Sequence, residues 1–157
     1  MSDDVVPQQR VAFLLSQVGA HVAARFEDRV RGLDLTPSEA SVIRLVGRTP
    51  GLSQRAVADR VGTVPSRIVG LIDSLEERGL VQRTRSSADR RNYELRLTAR
   101  GTTMLAALRQ VAEDHEAEIR NGLTDEQTNQ LAAALRALAE FHHLDPVVHH
   151  RTGSAAV

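Results

Sequence analysis

The sequence predicts a mainly α-helical chain in which a helix-turn-helix is followed by a small antiparallel hairpin, with long amphipathic helices on either side. Three observations predict it. Between Ser53 and Gly79, apolar positions recur at three- and four-residue steps in two blocks parted by a tight turn. Val81 to Arg85 and the run NYELRL at 92–97 alternate instead, and the polar, arginine-rich SSADRR lies between them. Three further stretches, one before and two after this centre, carry long one-sided apolar stripes.

In chain order, the first ten residues are polar and are expected to fray. Leu14, Leu15, Val18, Val22, Phe26 and Val30 then predict a helix from Val11 that stops near Gly32. Thr36-Pro37-Ser38-Glu39 is a capping box with proline at the first helical position, and Val42, Ile43, Leu45 and Val46 form the inward face of the helix it starts. Pro50-Gly51 ends that unit. Ser53 caps a short helix whose Ala56, Val57 and Val61 support the next one. That next helix should begin at Pro65, whose ring pushes Val64 out of the α region. Ile68, Leu71, Ile72 and Leu75 give it one apolar stripe, and Gly79 supplies a left-handed stop.

In the hairpin, Tyr93, Leu95 and Leu97 are expected to pack on the helices while Asn92, Glu94 and Arg96 meet water. Thr98 can cap a helix carrying Met104, Leu105, Leu108, Val111 and Ile119 and ending near Gly122. A second capping box, Thr124 to Gln127, opens a last helix with Leu131, Leu135, Leu138 and Phe141. The three long amphipathic helices exceed what a lone reader of this type requires, and their stripes could pack within one chain or between two. The tail from Asp145 is polar and is expected to be disordered.

Composition bounds the function. At 157 residues and 41% hydrophobic the chain is sized for one domain with a real core, and 3% aromatics make that core aliphatic. No run of 18 apolar residues and no basic-then-apolar leader occurs, so neither a membrane span nor a signal peptide is expected, and the chain is expected in the cytoplasm. Without cysteine there is no disulfide and no thiol redox switch. The net charge is zero but uneven: residues 53–100 hold ten Arg against six Asp or Glu, a surplus of four, which the rest of the chain cancels. All twenty basic residues are arginine, so every basic phosphate contact must come from a guanidinium.

Ser66 and Arg67 lie in the first turn of the second helix of the pair, where a recognition helix points at base edges and phosphates. Equally, Ser66 could satisfy its own helix start and Arg67 could be a solvated surface residue. In SSADRR an Asp precedes an Arg by two residues, a spacing at which a carboxylate can hold a guanidinium in one orientation at a loop tip, suited to a narrow minor groove. A solvated turn with a weak ion pair fits the same residues.

LSQRAVADRVG, the run SLEERGLVQR, and DRR followed by LRLTARG resemble the winged-helix core of the MarR family of bacterial transcriptional regulators. The likeness extends over roughly Val11 to Glu140. It implies a winged helix-turn-helix over 36–100 with a small two- or three-stranded antiparallel wing sheet, dimerisation helices over 8–33 and 99–144, and a tail over 145–157. It further implies a homodimeric repressor that reads a pseudo-palindromic operator in double-stranded DNA, with the recognition helix in the major groove and the wing arginine in the minor groove. Asp89 and Arg91 match the wing motif, with Arg90 between them, and the remaining DNA-binding residues implied are Ser53, Gln54, Arg55, Thr63, Pro65, Ser66 and Arg67. Two departures stand out: Val64 replaces the usual hydroxyl cap of the recognition helix, and Gly70 takes a place where a polar or basic residue is common.

Regulators of this kind also respond to a small aromatic or phenolic, often anionic, effector held between the dimer helices and the reader. Here His21 and Arg25 would be its polar anchors, with Val18, Val22 and Met104 as apolar wall. Ordinary surface or interface roles suit His21 and Arg25 as well. His142, His143, His149 and His150 cluster without cysteine and in no zinc-site spacing, so no metal or other cofactor is expected. His21 and His115 are expected near the core as satisfied packing residues. Asp73, Glu76 and Glu77 read as a solvated acidic face. There is no phosphate-cradling glycine loop, nucleophile elbow or metal-binding helix pair, so no enzyme is expected. The alternative is a winged-helix module that binds protein and not DNA.

Overall fold

Side-chain caps set most of the helix boundaries. Thr36, Ser53, Thr98 and Thr124 each accept a hydrogen bond from the backbone N–H three residues on, and the boxes at Thr36–Glu39 and Thr124–Gln127 are both closed by the reciprocal bond. The computed structural model describes residues 10–86 and 93–144. Its elements are α1 (Val11–Arg31), α2 (Pro37–Arg48), α3 (Gln54–Val61), α4 (Pro65–Glu77), β1 (Val81–Arg85), β2 (Tyr93–Leu97), α5 (Ala99–Arg120) and α6 (Asp125–Phe141). The architecture is that of a winged helix-turn-helix flanked by long helices.

The core is aliphatic. Val42, Ile43 and Val46 of α2 meet Val57 and Ala58 of α3, Ile68, Ile72 and Leu75 of α4, and Leu95 of the hairpin, all essentially without solvent contact. Gly62 and Gly79 take left-handed φ of 68° and 66°, which let the chain turn sharply after α3 and α4. Strand β1 pairs with β2 in antiparallel register, Val81 with Leu97 and Arg85 with Tyr93. Leu95 also bonds the α2–α3 connection: its N–H donates to the Leu52 carbonyl at 2.8 Å and its carbonyl accepts from Gly51 N at 2.9 Å. The wing is thereby tied to the segment that leads into the helix-turn-helix.

The long helices behave differently from the reader. Gly101 lets α5 start against the carbonyl of Leu80, where any Cβ would collide with that oxygen. Further along, α5 packs on α1 through Phe26 and His115, ring centroids 5.5 Å apart, and Glu118 binds both Arg25 and Arg29. Helix α6 buries none of its residues among the described ones, and Leu131, Leu135, Leu138 and Phe141 stay exposed, as do Val11, Phe13, Leu14, Leu15 and Val18 of α1.

Two expectations are corrected. Tyr93 shares the inner face of the hairpin with Leu95 but is 47% exposed, because the Arg85–Tyr93 pair lies beyond the end of the core. His21 is exposed and not near the core, since the first half of α1 runs past the part of the chain that could cover it.

Candidate nucleic-acid interface

The first turn of α4 is solvent-exposed from Pro65 to Arg67. Pro65 fixes the helix start, and Val64, which precedes it, provides no side-chain cap. Ser66 and Arg67 are both exposed and have no side-chain partner among the described residues, so Ser66 is not spent on its own backbone. The uncapped first turn thus presents a helix N-terminus, a serine hydroxyl and a guanidinium on one surface, groups that suit phosphate and base-edge acceptors. Gly70, one turn on, has open space where a Cβ would stand, so packing does not require glycine there.

What holds α4 in place is Arg83 of β1. Its guanidinium donates to Asp73 and to Glu76 on α4, and its backbone N–H donates to Glu76 Oε1 at 3.2 Å. With its amide turned so that Oε1 faces the strand, Gln54 of α3 accepts from Arg83 Nε and Nη2 at 2.6 and 2.7 Å. One half-buried arginine therefore joins both helices of the helix-turn-helix to the wing. Partial burial alone would lower its pKa, but the bonds to Asp73 and Glu76 outweigh it and raise it. Asp73 and Glu76 are accordingly not a merely solvated face, and Gln54 is committed to this clamp. The signal was in the sequence: Arg83 is two residues from the inward Val81, so it shares the strand's inner face, where a charge needs partners.

A second brace fixes the other end of α4. Buried Glu39 accepts from Thr36 N and Oγ1, from Ser74 Oγ at 3.1 Å and from Arg78 Nη1 at 3.2 Å, and Arg78 also donates to the Asp34 carbonyl at 2.7 Å. Burial would raise the Glu39 pKa, but these donors more than reverse it.

The remaining anticipated contacts divide. Ser53 Oγ is engaged as the α3 cap at 3.2 Å from Ala56 N. Arg55 and Pro65 are exposed and Thr63 is half-buried. Asp89, Arg90 and Arg91 lie outside the described residues, as does Asn92. At the root of the wing, Arg85 and Tyr93 are exposed side by side.

The anticipated effector residues fall in two places: Val18, His21, Val22 and Arg25 follow one another on α1, and Met104 lies on α5. Arg25 is held by Glu118, its Nε and Nη2 donating at 3.1 and 2.6 Å, and the bond from Arg29 first, then those from Arg25, hold the Glu118 pKa down at about 2. Val18 and His21 are exposed and Val22 is half-buried on α1. Met104 packs against the core, and on α5 it stands about 16 Å of helical rise from His115, where α1 crosses. His115 is buried against Phe26, yet neither ring nitrogen has a partner among the described residues, so it is not the satisfied packing residue expected. Among the described residues no cluster of His, Cys, Asp or Glu could hold a metal ion, and no helix is long and apolar enough to cross a membrane. His149 and His150 lie outside them.

A family model described as MarR family matches residues 33–92, the span from the end of α1 into the wing. A Thauera aromatica protein described as a transcriptional regulatory protein for the hcr operon is 33% identical over 104 residues, covering 66% of this chain and 63% of that protein. The chain thus matches less than two thirds of that relative's length. Among solved structures, the transcriptional repressor CouR bound to a 23-mer DNA duplex is 32% identical, with a TM-score of 0.71 over 84% of this chain and 94% of that one. A Mycobacterium tuberculosis MarR family protein in complex with p-aminosalicylic acid is 26% identical, with a TM-score of 0.66 over 83% and 98% of the two chains.

Proposed function

The chain belongs to the MarR family of transcriptional regulators, and on that premise we propose that it is a dimeric, ligand-responsive repressor that reads a pseudo-palindromic operator through α4 and the wing. The observation that carries the reading is the first turn of α4, where Ser66 and Arg67 stand exposed and without a side-chain partner among the described residues, while Arg83 locks the helix behind them. Arg55 flanks this surface, and Asp89, Arg90 and Arg91 would extend it from the wing. The charge surplus in residues 53–100 agrees in sign with a phosphate partner.

The division of labour follows the elements. Residues 36–100 form the reader, and residues 8–33 with 99–144 form the dimerisation part. Exposed leucines on α6 and the apolar first half of α1 support the pairing of two chains. In such a pair the two recognition helices would stand roughly 34 Å apart, one turn of the duplex. The likeness to a repressor bound to DNA supports the operator reading, and the p-aminosalicylic acid complex of another family member supports a small aromatic effector. The site of action is the cytoplasm.

The test is a selection of bound fragments from pooled genomic DNA, followed by a salt series on the recovered duplex. Affinity should fall steeply as salt rises, because phosphate contacts release counterions. Failure to bind any duplex at low salt would instead favour a protein-binding winged helix.

A further inference from the structure

Two adjacent residues of α4 are unfavourable for a helix, and nothing within the chain compensates for them. Val69 is apolar, β-branched and 41% exposed, so it gives up rotamer freedom in the helix without the gain of a buried side chain. Gly70 lies inside the same helix, where glycine loses the most backbone freedom, and a Cβ built on it meets nothing within 4 Å among the described residues. Gly47 and Gly101 also stand within helices, but neighbours require them: a built Cβ falls 2.5 Å from Leu105 Cδ2 at the first and 1.9 Å from the Leu80 carbonyl oxygen at the second. Gly19 has open space too, on the half of α1 whose apolar surface the pairing of two chains would cover. Gly70 is the case that lies on the reader.

Its place on the helix supplies a reason. At about 3.6 residues per turn, Ser66, Gly70 and Asp73 fall opposite the buried Ile68, Ile72 and Leu75 and so form the outward face of α4. Arg67 flanks that face on one side and Val69 on the other. A bare Cα in the middle of the face lets the helix lie closer to a flat surface than any side chain would. Beside it, the isopropyl group of Val69 makes one wall of a shallow apolar seat. Asp73, next on the same face, is paired with Arg83, which offsets the charge a free carboxylate would turn towards phosphates. In the major groove the base pairs present donors, acceptors and one apolar group, the 5-methyl of thymine.

We propose that Val69 and Gly70 form the seat of a thymine 5-methyl group in each operator half-site. The inference rests on the operator reading above and names a base that α4 selects there, by a contact that neither Ser66 nor Arg67 can make. The methyl group lies over the Cα of Gly70 and against the side chain of Val69, and both carbons leave water together. Burying one such group corresponds to a factor of about four in affinity.

The experiment uses the full chain and the duplex recovered from the genomic selection, with each thymine of the half-site exchanged in turn, in both half-sites, for deoxyuridine. The exchange removes the methyl group and leaves base pairing and every hydrogen-bonding group in place. For at least one thymine, wild type should lose about fourfold per half-site, or about fifteenfold for the symmetric duplex, with its salt slope unchanged. Val69→Ala should bind the thymine duplex nearly as weakly as wild type binds the deoxyuridine one, and should distinguish the two by less than about twofold per half-site. Gly70→Ala fills the seat. It should melt higher than wild type, because alanine is the better helix former, yet bind the thymine duplex no better than the deoxyuridine one.

A wild type indifferent to every methyl group overturns the proposal. So does a Val69→Ala protein that keeps the wild-type preference for thymine, whatever its melting temperature, because the methyl group is then read elsewhere. A Gly70→Ala protein that keeps the preference overturns it as well, since the methyl group then does not lie over that Cα. In each of these outcomes wild type still binds its duplex and the operator reading stands. That reading fails if wild type binds no duplex at low salt, and this inference fails with it.

Discussion

Arg83 and Arg67 lie close in the same unit but differ in what surrounds each guanidinium. Arg83 has carboxylates on α4 and an amide on α3 within reach, so it is spent inside the protein, whereas Arg67 is exposed and has no side-chain partner among the described residues, which leaves it free for the proposed DNA contact. Arg83→Met should leave Asp73 and Glu76 facing each other without their cation and cost about 1–2 kcal/mol of stability, a half-buried pair being worth less than a fully buried one. It should also weaken operator binding without changing the salt slope, and Arg83→Lys should recover only part of either loss because a compact ammonium lacks the planar fork that reaches Asp73, Glu76 and Gln54 together. A variant with wild-type melting and wild-type affinity would remove the clamp from the account. For Arg67→Ala the expected loss is about 1–3 kcal/mol concentrated at one operator position, if the fork reads a guanine. Competition binding with singly substituted operators measures it, and a loss equal across all sequences would make Arg67 a phosphate contact. The sequence read Asp73 and Glu76 as a solvated face and did not show that Arg83 binds them or that Gln54 meets the same arginine, because which arginine a carboxylate meets depends on how β1 lies across α4. Periodicity does not encode that crossing.

At the level of elements, local rules carried nearly everything. The caps at Thr36, Ser53, Thr98 and Thr124 and the turns at Gly62 and Gly79 are short-range devices, and each helix boundary anticipated from them lies within two residues of the observed one. Close approaches between elements were not legible. Gly101 is one: its α-carbon faces the Leu80 carbonyl so tightly that Gly101→Ala must shift α5 against β1. The expected loss is about 3 kcal/mol, the upper end for overpacking, or roughly 6–12 °C in a chain of this size. A melting temperature within about 2 °C of wild type would mean the junction has slack. The crossing of α1 and α5 is another, and it should give stability a pH dependence. Burial first, then the charge of Arg29, lower the His115 pKa below its usual 6.5. The unfolded chain then binds more protons than the folded one just below that value, so stability is lost as pH falls through it. Glu118, held at about 2 against a usual 4.5, adds a second loss that begins only below 4.5. His115→Leu should flatten the first limb, seen as a melting temperature nearly constant between about pH 7 and 5, and leave the second. An unchanged slope in that variant would assign the first limb to another group.

For the molecule as a whole, the decisive quantity is apolar surface that one chain cannot cover. Sequence reading left open whether the three amphipathic helices pack within a chain or between chains. In the structure α6 buries nothing, and Leu131, Leu135 and Leu138 stay 46%, 41% and 39% exposed. A single exposed leucine is ordinary, but a whole helical stripe together with the first half of α1 is apolar surface that the proposed pairing of two chains would cover. Leu135→Glu places a charge in the middle of that stripe and should give a monomer by light scattering at micromolar concentration, with the reader still folded because its core lies elsewhere. Its effect on DNA separates dimerisation from reading. Two readers release the counterions of two half-sites, so the salt slope of a monomeric variant should fall to about half that of wild type, while affinity for a single half-site stays nearly unchanged. A Leu135→Glu protein that remains dimeric and keeps the wild-type slope would show that α6 faces solvent in the working protein and that another surface joins the two copies.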